Sequence, residues 1–109
     1  MPLNRGNQKG YRFLQEAKQY LEQKGCLVLY ANGFNGIDLI VFNPALYKAV
    51  YFVKCKYGGG KIDKTELVKF TKFAHKYDIV PIYCSRKPTT SIAFMNMNTT
   101  TDMNFVDPR

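Results

Sequence analysis

From Gln8 to Lys24 the apolar positions Phe13, Leu14, Ala17, Tyr20 and Leu21 recur with the spacing of one helix face. Gly25, directly after them, predicts a left-handed cap that ends the helix. The pattern then shortens. Cys26–Ala31 is an apolar run of strand length, Asn32-Gly33-Phe34-Asn35-Gly36 supplies turn residues, and Ile37–Phe42 makes a second strand. Asn43-Pro44 interrupts it, and Ala49–Tyr57 resumes with β-branched and aromatic residues. After Gly58-Gly59-Gly60, Asp63 with Glu66 three residues on is a capping-box pattern. It opens a second helix to Tyr77, with Leu67, Phe70, Ala74 and Tyr77 on its apolar face. Ile79–Cys84 predicts a fourth strand, in which Pro81 donates no ladder bond, and Ser91–Met97 a fifth. Residues 1–7 read as a basic N-terminal arm and residues 98–109 as a loose C-terminal tail. This order predicts an α+β fold, a central mixed sheet of about five strands flanked by helices.

A chain of 109 residues is expected to form one domain, spanning residues 1–109. At 46% hydrophobic and 22% charged residues it can bury a core, which excludes a disordered or collagen-like chain. No apolar stretch has signal-peptide or membrane-span character, so the expectation is an intracellular, cytoplasmic protein without membrane contact. Cys26, Cys55 and Cys84 stand 29 residues apart, a spacing that matches neither a zinc site nor an even disulfide framework; they read as reduced core thiols. Charge changes the picture more. Sixteen Lys and Arg against eight Asp and Glu give +8, an excess that favours an anionic partner.

Two features carry candidate chemistry. Asp38 opens an otherwise apolar strand, where an unpaired buried charge would cost several kcal/mol. Either it bonds amides of the preceding turn or it has a partner on a neighbouring strand. Lys54 and Lys56 stand two residues apart, so alternation sends both to the face of Val50 and Phe52. On an edge strand they would be solvated guards against aggregation; on a central strand beside Asp38 they would form a charged cluster.

The order helix, Leu21-Glu22-Gln23-Lys24-Gly25, strand, Gly33, Ile37-Asp38-Leu39-Ile40, Phe52-Val53-Lys54-Cys55-Lys56, helix and Ile79-Val80-Pro81-Ile82 resembles the archaeal Holliday junction resolvases. These belong to the nuclease superfamily named for its PD-(D/E)xK motif, and the resemblance covers roughly residues 5–96. It implies a restriction-endonuclease-like core and magnesium-dependent phosphodiester hydrolysis, with carboxylates positioning a cation that neutralises charge on the attacked phosphate. Asp38 matches the strand aspartate of that site and Lys56 the motif lysine. Lys54 stands where the motif acid belongs and Leu14 where a helix glutamate would fall. Glu16 lies about 200° around the helix from Leu14 and should face away. Tyr30 and Phe34 occupy positions where the resolvases carry arginine and serine. The catalytic candidates are therefore Asp38, Lys56 and Lys54, and the metal candidates Asp38 and the Cys55 carbonyl. With one carboxylate and an added ammonium, magnesium should bind poorly.

The basic residues keep more of the expected pattern. From Lys48 to Lys87 there are ten Lys or Arg against three Asp or Glu. Lys69, Lys72 and Lys76 fall within about 60° of one another on the second helix. They make either a solvated face or a stripe that follows a phosphate backbone, which Lys61 and Lys64 would extend. Arg5, Lys9 and Arg12 add positive charge at the front of the chain. The resulting expectation is a DNA-binding homodimer of nuclease fold, with branched DNA implied by the resemblance and cleavage impaired or lost. An active endonuclease with a reduced carboxylate set, and a protein-interaction module with a basic face, are the alternatives.

Overall fold

Phe13, Ala17 and Leu21 are buried on one side of helix α1 (Gln8–Gln23), with Leu14 and Tyr20 packed at their margin, as the periodicity predicts. The helix stops because Gly25 takes φ +91°, which lets the Gly25 and Cys26 N–H groups return to the Glu22 and Leu21 carbonyls at 3.0 and 3.1 Å. The fold comes from a computed structural model that describes residues 8–43, 45, 48–57, 63–86 and 92–103.

Strands β1 (Leu27–Phe34), β2 (Ile37–Asn43), β3 (Lys48–Tyr57), β4 (Val80–Arg86), β5 (Ala93–Asn96) and β6 (Thr101–Met103) follow one another across one sheet in chain order. All neighbours are antiparallel except β3 and β4, which are parallel because helix α2 (Lys64–Lys76) crosses between them. The architecture is α+β with a mixed sheet between two helices. On one face Phe13, Ala17 and Leu21 pack over Val28, Leu39, Val53, Ile82 and Cys84. On the other, Phe70 and Ala74 of α2 close over Ile37 and Phe52.

Three differences from the sequence pattern have local causes. First, β1 continues past Ala31 to Phe34, which pairs with Ile37; an irregularity after Tyr30 absorbs the positive φ of Asn32 and Gly33. The turn is thereby reduced to Asn35-Gly36, both at positive φ, which is the two-residue hairpin geometry. Second, a register shift between Val41 and Phe42 places Val50 with the α1-side core, whereas Phe52 faces α2. Val50 therefore does not share the face of Phe52 and Lys54. Third, Thr101–Met103 pairs with β5, so the expected loose tail contains a sixth strand. Pro81 fits a central strand for a simple reason. Its carbonyl accepts from Met97 N–H at 2.9 Å, so its nitrogen also faces the β5 side, just beyond the last ladder pair Ile82–Asn96.

Candidate functional site

β3 lies between β2 and β4, so Lys54 is not on an edge. Its side chain is only 13% exposed. The ammonium is 3.4 Å from the Gly36 carbonyl and 3.7 Å from the Glu66 carboxylate on α2. Asp38 is half-buried and accepts a 2.7 Å hydrogen bond from Cys55 N–H across the β2–β3 pair. It thus meets a neighbouring strand rather than its own turn. Burial pushes the Asp38 carboxyl above its usual range, with a smaller contribution from the Glu66 charge, and the Cys55 N–H and Lys54 only partly offset this. Lys56 follows Lys54 on the same face of β3 and is exposed.

Cys55 reaches this cluster through its backbone. Its side chain alternates to the α1 face, where it pairs in register with Cys84. A hydrogen bond to Cys84, then burial, hold the Cys55 thiol well above its ordinary pKa, so it stays protonated. Leu14 packs in the α1-side core, and Glu16 is paired with Arg86 of β4. The nearest acid of α1 is therefore committed to a different cation. Tyr57 alternates away too, its ring 5.9 Å from Phe13. His75 donates to Asn98 Oδ1 at 2.6 Å.

The basic candidates divide between layers. Lys64, Lys69, Lys72 and Lys76 are exposed on α2, and Arg12 is exposed on α1 across the sheet. Arg5, Lys61 and the Lys9 side chain lie outside the described residues. Lys69, Lys72 and Lys76 line one shallow groove of about 420 Å³ with Asn35, Val68 and Phe73. None of its described lining residues is acidic. The stripe expected on the helix is thus a concave surface that reaches the β1–β2 turn, next to Gly36 and Lys54.

The sequence profile of Mrr_cat, described as a restriction endonuclease, matches residues 6–86. The chain belongs to the Mrr_cat restriction endonuclease family. Its fold is similar to that of Hjc from Archaeoglobus fulgidus, a Holliday junction resolvase from an archaeal hyperthermophile. The two share a TM-score of 0.69 and 17% identity over 83% of this chain and 74% of that one. No curated protein matches the chain. The restriction-endonuclease-like core expected from the resemblance is therefore present.

Nucleases of the Mrr_cat type generally use a divalent cation, which needs several oxygen donors. The residues here do not fit one. Asp38 and Glu66 are the carboxylates near the centre; one Asp38 oxygen is engaged by Cys55 N–H, Glu66 is turned to Lys54, and the shielded Lys54 ammonium opposes a second cation. Among the described residues no three His, Cys, Asp or Glu side chains come together as a metal-binding group. Also among them, no helix is long and apolar enough to cross a membrane.

Sequence reasoning missed two participants. Glu66 reads as half of a capping box, yet only Asp63 caps, accepting from Thr65 N–H at 2.8 Å, while Glu66 turns to Lys54. Phe34 reads as a turn residue but is 64% exposed beside the groove. An acid at the third position of a helix whose partner strand carries a buried lysine was the available signal for Glu66.

Proposed function

We propose that this protein binds DNA through the α2 lysine groove and has lost metal-dependent cleavage. The observation that supports both halves is the pairing of a basic groove, without an acid among its described lining residues, with a centre where Lys54 stands in place of a carboxylate. Phosphate contacts need cations in the spacing of a backbone, which Lys69, Lys72 and Lys76 supply. Hydrolysis needs a cation held by several acids, which Asp38, with Glu66 turned to Lys54, does not supply. In this reading Lys54 neutralises Asp38, and Lys56, exposed at the end of β3, contacts phosphate.

Branched DNA is the proposed substrate form, and a homodimer the proposed assembly, because a four-way junction presents two equivalent arms to a symmetric pair. Exposed Leu27, Leu29 and Tyr30 on the terminal strand β1 offer apolar surface for such a contact. Membership of a nuclease family supports a second reading, an endonuclease that works with Asp38, the Cys55 carbonyl and magnesium shared with DNA phosphate.

One assay separates the two. Junction and duplex DNA are incubated with the protein in manganese or chelator, and binding and cutting are scored together for wild type, Asp38→Ala and Lys56→Ala. Binding without cutting is expected, tighter for the junction. Cutting that needs manganese and disappears in both variants establishes the second reading instead. Absence of binding at low ionic strength overturns both and leaves a basic protein-interaction module.

A further inference from the structure

The exposed side chains around the lysine groove are not all charged. Phe34 is 64% exposed and Tyr77 53%, both against Phe73, and Val68, 52% exposed, lines the same groove as Phe73. Phe34 lies 5.7 Å from Phe73 with the two rings perpendicular, and Tyr77 meets the same ring at 5.0 Å. Phe73 is in turn stacked on the buried Phe52 at 5.9 Å, so the exposed rings are anchored through it to the core. An isolated surface phenylalanine needs no explanation. One held against a concave surface bearing three lysines does.

The turn that presents Phe34 is fixed on several sides. Gly36 N–H donates to the Gly33 carbonyl at 2.9 Å, and the Gly36 carbonyl is 3.4 Å from Lys54 Nζ. A Cβ at Gly36 would lie 3.4 Å from Phe70 Cβ, so the turn sits directly on α2. The ring is therefore positioned in advance, at small entropic cost to a ligand. The ligand that matches an uncovered aromatic ring beside a row of cations is a flat apolar group carried on a polyanion. A nucleobase on its phosphate chain has that composition. In a continuous duplex the bases are covered by their neighbours, so only an unpaired base could reach the ring.

We infer that Phe34 stacks an unpaired base of the bound DNA while Lys69, Lys72 and Lys76 hold the flanking phosphates. The substrate class is then DNA with an unpaired nucleotide at a bulge, gap or branch, placed beside the Asp38–Lys54 centre. This inference rests on the DNA-binding reading above and sharpens it.

The test compares a duplex containing a short unpaired bulge with the same duplex fully paired, using wild type, Phe34→Ala, Phe34→Leu and Phe34→Trp. The bulge carries 2-aminopurine, whose fluorescence falls on stacking. Phe34→Ala is expected to weaken binding of the bulged duplex about 5- to 100-fold and the paired duplex less than about twofold. Phe34→Leu keeps an apolar contact with Phe73 but has no π face, and should lose as much as Phe34→Ala. Phe34→Trp should restore both affinity and quenching. Equal losses on both duplexes, no loss on either, or a leucine variant as good as wild type overturns the stacking inference while leaving DNA binding intact. If wild type binds neither duplex at low salt, the DNA-binding reading and the inference fall together.

Discussion

Asp38 sits in a balance that its protonation reveals. Burial, the largest effect, raises its carboxyl pKa, and the Cys55 N–H and Lys54 do not bring it back. The folded chain consequently holds this proton more tightly than the unfolded chain does. For such a group the stabilising contribution is complete below the unfolded pKa, about 3.9, and is lost as pH rises through the folded value. Asp38→Asn removes the ionisation and can still accept the 2.7 Å bond from Cys55 N–H. The variant should be more stable than wild type at neutral pH, with the two midpoints converging below about pH 4. Urea unfolding across that range checks it. A less stable Asp38→Asn protein at pH 7 would mean that attraction to Lys54 outweighs burial.

The elements explain how the site is assembled and which parts of it were legible. Asp38 and Lys54 stand out in the sequence because each interrupts a strand of apolar residues, and the short β2–β3 connection makes those strands antiparallel neighbours. Helix periodicity likewise marks Phe13, Ala17 and Leu21, because those positions are decided by burial against a single face. Other features depend on tertiary context. The shift that sends Val50 to the opposite layer arises from pairing with β2, and the three-residue strand β6 forms because β5 offers it a partner. At the C-terminal end of α2 Tyr77 is exposed rather than on the buried face that the periodicity predicts, while Phe73 is partly buried among Phe52 and Phe34. The same element logic yields a test of the proposed loss of cation binding. Lys54→Glu adds an acid on β3 to Asp38 of β2 and Glu66 of α2, replacing the charge that opposes a cation. Manganese should then raise the melting temperature of the variant by about 5 °C or more at saturating concentration, and leave wild type unchanged. No rise in the variant would mean that Asp38, Glu66 and the new acid do not by themselves assemble a cation site.

At the scale of the molecule, the sheet separates two basic regions. The α2 lysines lie in one layer and Arg12 in the other. A straight duplex lies on one surface, and only DNA that passes around a sheet edge could touch both. Counterion release measures which occurs. Each phosphate neutralised steepens the fall of log K with log salt by about 0.9 for duplex DNA, so removing a true phosphate contact lowers the slope by about one. Single Lys69→Ala, Lys72→Ala and Lys76→Ala substitutions should each lower it by that amount, and the triple variant by about three. Arg12→Ala should leave it unchanged. These residues are exposed, so the substitutions should disturb folding little. A slope insensitive to all three lysines would place the DNA elsewhere on the protein. A slope lowered equally by Arg12→Ala would mean that the DNA bends around the sheet, as a branched molecule with two diverging arms can do at lower cost than a continuous duplex.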